Sequence, residues 1–216
     1  MSPLSLIPNP AAETASQRCM LWIDGGGAFD LLWPPSNVTI GSPDASASGE
    51  RLELLAPISR QQMTLSYADG QYRVIPVKAT ELNGRTLEGP TVLTSGDGLS
   101  VEPGVQWTFR QSSPLSATSV LQLKSAHRWT SGADAVVFLD RLCLVGPDDD
   151  CPMRVRHYEQ RLILFQRRGQ LFLKGMGDAL DQAQLLSPGQ AVDVHGLNVR
   201  LSPVTGSSEK RGASKR

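Results

Sequence analysis

Residues 62–77 read QMTLSYADGQYRVIPV. Two apolar-rich runs, Gln62–Tyr67 and Gln71–Val77, meet at Asp69-Gly70. Both turn residues tolerate positive φ, so the stretch predicts a two-stranded hairpin. The same grammar continues outward. Upstream, Met20–Ile23, Ala28–Leu32, Asn37–Ile40 and Arg51–Leu54 read as strands. Downstream, Asn83-Gly84 joins Thr80–Leu82 to Arg85–Leu87, and Gly96-Asp97 precedes Leu99–Val101. Val105, Trp107 and Phe109 alternate, which puts all three on one buried face. The second half repeats the pattern with Ala135–Leu139, Arg141–Val145, Met153–Arg156, Arg161–Gln166, Gln170–Lys174, Gln190–Val194 and Leu197–Leu201. Val120, Leu121 and Leu123 mark a further strand within Gln111–His127. A helical period is sustained nowhere; Gly177–Leu186 is a weak helix candidate. Short strands punctuated by turns predict an all-β protein of the sandwich type.

The chain has 216 residues, of which 40% are hydrophobic and 19% charged, so it carries enough apolar material for a core. Its 21 basic and 21 acidic residues cancel, which argues against a chain built to coat nucleic acid or an acidic membrane. Three widely spaced cysteines exclude a disulfide framework. No apolar run reaches the ~18 residues of a transmembrane helix, and MSPLSLIPNPAAETASQR does not read as a secretory signal. These features predict a soluble, cytoplasmic protein. Residues 1–17 and 205–216 have little to bury and are expected to be disordered. The tail, with four basic residues and one acidic, carries +3.

Residues 20–110 resemble the forkhead-associated (FHA) domain. Val38-Thr39-Ile40-Gly41 stands where that family has an apolar strand ending in Gly-Arg, and Ile58-Ser59-Arg60-Gln61-Gln62 where it has Ser-Arg-x-His. Gln71-Tyr72-Arg73-Val74, the turn Leu82-Asn83-Gly84-Arg85, Leu93–Gly98 and a last strand ending at Phe109 follow in order. The second half is similar to a degraded copy. Leu144-Val145-Gly146-Pro147 takes the place of Ile40-Gly41-Ser42, Ser187-Pro188-Gly189-Gln190 that of Ser95-Gly96-Asp97, and Leu197–Leu201 that of the closing strand. The resemblance implies two antiparallel β-sandwich domains in tandem, 18–112 and 113–204, of bacterial type. It also implies phosphothreonine recognition by loops at one end.

A phosphothreonine site needs a guanidinium fork for the dianion, a hydroxyl donor, and amide side chains that hold peptide and loops. Here the family's Arg is Ser42, its bracing His is Gln62, and its Asn-Gly-Thr aligns with Lys78-Ala79-Thr80. Ser59 is kept. A charge-assisted hydrogen bond contributes about 1.5–3 kcal/mol, so a lost fork removes much of a micromolar affinity. The resemblance nominates Ser59, Arg60 and Asn83 as phosphopeptide contacts, with Lys78 assisting as a point charge. Each has a plainer reading: a turn serine, a solvated loop arginine, and an Asn-Gly turn that needs φ > 0. In the second half Pro147 replaces the Arg, and Asp148-Asp149-Asp150 would repel phosphate.

Other chemistry is poorly supported. Cys143, Cys151 and His157 lack zinc-ligand spacing, and the aspartate triplet lacks the Gly and distal Glu of a calcium loop. Asp24-Gly25-Gly26-Gly27 has no Gly-Lys-Ser/Thr ending, so it reads as a turn between strands. His127, His157 and His195 have no Ser or Cys partner in a motif. Trp22, Trp33, Trp107 and Trp129 read as core or interface anchors. The resemblance implies a non-enzymatic protein-interaction module of bacterial signalling, and the residues suggest no cofactor or metal. Its partner would be a protein or phosphoprotein, such as a Ser/Thr kinase or its substrate, rather than nucleic acid or membrane. The alternative is a pseudo-domain scaffold that binds partners independently of phosphate or serves a structural role.

Overall fold

The computed structural model describes residues 17–33, 37–46, 50–113 and 116–204. The expectations for residues 1–16 and 205–216 lie outside these; Gln17 opens the first strand. The first run of strands is β1 (Gln17–Ile23), β2 (Gly27–Trp33), β3 (Val38–Gly41), β4 (Arg51–Leu55), β5 (Met63–Ala68), β6 (Gln71–Pro76), β7 (Glu81–Leu82), β8 (Arg85–Thr86), β9 (Thr91–Val92), β10 (Gly98–Val101) and β11 (Val105–Gln111). The second run is β12 (Ser119–Leu123), β13 (Arg128–Trp129), β14 (Ala135–Phe138), β15 (Leu142–Gly146), β16 (Met153–Arg154), β17 (Leu162–Arg167), β18 (Gln170–Gly175), β19 (Gln184–Leu186), β20 (Ala191–Val194) and β21 (Leu197–Pro203). The protein is all-β. The weak helix candidate is a 3-10 turn, Leu180–Gln182, running into β19.

The strands form three sheets. A ten-stranded sheet has the order β20-β21-β1-β2-β14-β12-β11-β10-β7-β8; the flanking sheets are β13-β4-β3-β5-β6-β9 and β16-β15-β17-β18-β19. The flanking sheets share one plan. β3 lies parallel to β4 and antiparallel to β5, which leads to β6 and β9. β15 lies parallel to β16 and antiparallel to β17, which leads to β18 and β19. Most pairings are antiparallel, as the sequence predicts; β2 with β14, β3 with β4 and β15 with β16 are parallel.

The long sheet is the middle layer, with a core on each of its faces. On β2, Phe29, Leu31 and Trp33 enter one core while Ala28 and Leu32 enter the other. On β14, Ala135 and Val137 part from Val136 and Phe138 in the same way. Strands covered on both faces read as continuous apolar runs, which accounts for the density of Ala135–Leu139. Val105, Trp107 and Phe109 are buried together, as their alternation predicts. Trp22 departs from its expected role: it is 45% exposed, with its indole N–H on Ser202 Oγ at 2.9 Å.

The hairpins of this layer sit unexpectedly. β1–β2 precedes β3 in the chain, yet β1 pairs with β21, the last strand. β12–β14 precedes β15, yet β12 pairs with β11. Each hairpin therefore lies on the strand that closes the other half. The residue 112/113 boundary falls in the connection between two hydrogen-bonded neighbours, β11 and β12.

Candidate functional site

One end of the six-stranded sheet forms a loop rim. In the order β4, β3, β5, β6, the strand ends there are Leu55, Gly41, Met63 and Pro76. The 56–62 loop folds tightly over β3: a Cβ on Gly41 would stand 1.9 Å from the Arg60 carbonyl oxygen. The Ser42 N–H donates to Ser59 O at 3.0 Å.

Gln62 is buried and braces this loop against the next. Its Oε1 accepts from the Ser59 N–H at 3.3 Å. Its Nε2 donates to Ala79 O at 2.8 Å and to Thr80 Oγ1 at 3.4 Å. The Val77 and Lys78 N–H groups both reach its carbonyl at 3.0 Å. Ser59, Arg60 and Lys78 are thus gathered on two loops joined by one side chain, with Arg60 and Lys78 exposed.

Asn83 belongs elsewhere. It holds φ 53° in its turn, its Nδ2 donates to Asp97 Oδ1 at 2.7 Å, and its Oδ1 accepts from the Gly98 N–H at 2.8 Å. Both ends of the amide are engaged in tying the β7–β8 turn to the turn before β10.

A guanidinium does reach the rim, but from Arg51, which reads in the sequence only as the start of a strand. It is 8% exposed, and its Nη2 donates to Arg60 O at 2.6 Å and Ser42 O at 3.4 Å. Its Nε lies 3.8 Å from Glu53 Oε1. Glu53 in turn accepts from the Asp44 N–H at 3.0 Å. The Ser46 hydroxyl and amide hold the Asp44 carboxyl below its ordinary pKa. The only sequence signal for Arg51 is a basic residue at a strand start, which does not tell a buried loop holder from a solvated one.

The equivalent rim of the second half is closed by its own charges. Gly146 faces Gln160 O at 3.1 Å from an added Cβ, matching Gly41 and Arg60. Arg161 binds Asp148 at 2.6 Å and Asp150 at 3.2 Å, and Arg154 pairs with Asp149. Asp148, Asp150 and Cys151 cluster, but both carboxylates already have Arg161. A cleft of about 210 Å3 is lined by Asp149–Pro152 with Ser95, Arg110 and Ser112, and Arg110 Nη1 donates to Asp149 O at 3.4 Å.

The remaining candidates are structural. Cys19, Cys143 and Cys151 are buried free thiols, and burial pushes the pKa of each up, away from the reactive thiolate. Asp24–Gly26 is a turn, and a Cβ on Gly25 would meet the His157 ring at 2.4 Å. His195 does have a partner that the sequence does not reveal: its Nε2 is 2.7 Å from Asp178 Oδ2. No helix among the described residues is long and apolar enough to cross a membrane.

No protein family's sequence profile matches the chain. No curated protein matches it either. A solved structure named "Rv0020c_FHA Structure" matches with 15% identity over 43% of this chain and 90% of its own, at a TM-score of 0.28. That superposition is too loose to bear on fold or function, which rest on the pairings and contacts above.

Proposed function

We propose that the chain is a non-enzymatic protein-interaction scaffold, FHA-like in its two sandwiches, that engages its partner independently of phosphate. One observation carries this reading: the guanidinium at the rim, Arg51, is buried and occupied by the Arg60 and Ser42 carbonyls beside Glu53. A phosphate dianion needs a free fork, and a nearby carboxylate opposes it. Asn83, engaged by Asp97 and Gly98, is likewise not free for a peptide.

A second reading keeps phosphothreonine recognition at Ser59, Arg60 and Lys78, with Asn83 holding its turn. It draws on the exposure of Arg60 and Lys78 on loops joined through Gln62. Its partner would be a phosphoprotein of a Ser/Thr kinase pathway.

Fluorescence polarisation against matched phosphothreonine and unphosphorylated peptide libraries separates the two. The scaffold reading expects equal binding within each pair, and unchanged partner capture by Ser59→Ala and Arg60→Ala. A preference of about tenfold or more for the phosphorylated member, abolished by Arg60→Ala, overturns it.

A further inference from the structure

We propose that the β1–β2 hairpin couples the two halves: it completes the sheet of the second through β21 and, by way of Arg18 and Arg51, holds the loop rim of the first. The register sets β1 against β21 over five residue pairs, from Cys19↔Pro203 to Ile23↔Val199. The side chains that β1 and β2 turn to that half, Cys19, Leu21, Ile23, Phe29, Leu31 and Trp33, belong to its core. The same hairpin carries Asp30, which faces the other way and is fully buried.

Arg18 grips Asp30 with a two-pronged fork, Nε to Oδ1 at 2.8 Å and Nη2 to Oδ2 at 2.6 Å. Its third nitrogen, Nη1, donates to the Arg51 carbonyl at 2.5 Å and lies 3.4 Å from Glu50. The Arg51 side chain then donates to Arg60 O and Ser42 O, on two of the segments that make the rim. Each link is a charge-assisted contact in partly or fully buried surroundings, where water competes weakly. A lysine at 18 carries its three donors on one nitrogen, so it cannot grip both Asp30 oxygens in a planar fork and reach the Arg51 carbonyl from a separate nitrogen. Arg18 is a positioning residue: it touches no rim side chain and acts through the backbone of Arg51. Its meaning for binding rests on the rim being the interaction surface, but the coupling is testable without a partner.

The test is amide hydrogen exchange on the full chain. The reporters are the Ser42, Val77 and Lys78 N–H groups at the rim. The controls are the Ala68 and Gln71 N–H groups at the far end of β5–β6, in the same half. Arg18→Lys breaks the link, and Leu201→Ala loosens β21 beneath β1, remote from the rim. Both are expected to speed exchange at the rim by about tenfold, the change that about 1.4 kcal/mol of local stability produces, with the controls shifting less than about twofold. Should Leu201→Ala fail to fold, Leu201→Val makes the same comparison with a smaller deletion. Rim exchange that stays at the wild-type rate in either variant, or that rises only in step with the controls, overturns the coupling.

Discussion

Gly41 and Gly70 are glycines for different reasons. Gly70 has φ +76° and open space around its Cβ position; Gly41 has ordinary backbone and a carbonyl oxygen 1.9 Å from that position. Gly70→Ala therefore incurs only backbone strain, about 1–2 kcal/mol, and leaves the rim intact. Gly41→Ala must displace the 56–62 loop and costs about 1–3 kcal/mol of overpacking. Urea unfolding measures both losses, and the Ser42 amide resonance moves only in Gly41→Ala. Asp30 is the other decisive residue. A carboxylate with no exposure is tolerated because Arg18 binds both its oxygens. Asp30→Ala removes the partner of the fork, leaving Arg18 only the Arg51 carbonyl and Glu50 at 3.4 Å, and lowers stability by about 3 kcal/mol. This is the lower end for a broken buried pair, since Arg18 keeps 19% side-chain exposure and reaches water. An Asp30→Ala melt equal to wild type would contradict it. The pairing of residues 18 and 30 is invisible in the sequence because it spans two strands of a register that the chain order alone does not set.

At the scale of elements, the hairpins were legible, as were the two-residue strands β7, β8 and β16; β9 and β13 were not. Asp69-Gly70, Asn83-Gly84, Arg168-Gly169 and His195-Gly196 all hold positive φ at both positions, the geometry that matches the twist of paired strands. That signal is local, so the sequence carries it. β9 and β13 are two residues each and exist only because β6 and β4 offer them an edge. The weak helix of 177–186 yields to a loop that Asp178 clamps onto the β20–β21 turn. Asp178 Oδ2 accepts from the Gly175 N–H at 2.7 Å and meets His195 Nε2 at 2.7 Å. The His195 contact first, then the Gly175 amide, hold its carboxyl below its ordinary value of 3.8. A depressed folded-state pKa gives stability that is full above the unfolded value and lost as pH falls through the folded one. Relative to Asp178→Asn, the wild-type melting temperature is therefore expected to fall on acidification below about pH 4. A constant difference from pH 6 to pH 2 would remove Asp178 from the account.

For the whole molecule, the consequence of a middle layer with two cores is cooperativity. β1, β2, β12 and β14 cannot leave one core without leaving the other. Calorimetry is expected to show one transition, with calorimetric and van't Hoff enthalpies equal. Trp107 and Trp129 in one core and Trp33 in the other should report the same midpoint; two resolved transitions would mean independent halves. By itself the sequence determined the all-β class, most strand positions, the X-Gly turns and the alternating faces such as Val105–Phe109. These follow from backbone sterics and side-chain period within a few residues. Only the tertiary structure decided that each hairpin serves the opposite half, that Trp22 stays half exposed while Trp107 is buried, and that Arg51 rather than a loop arginine turns its guanidinium into the rim. The reason is physical: the choice of sheet edge is not local, and where β1 and β12 pair depends on burying both faces of the middle sheet at once.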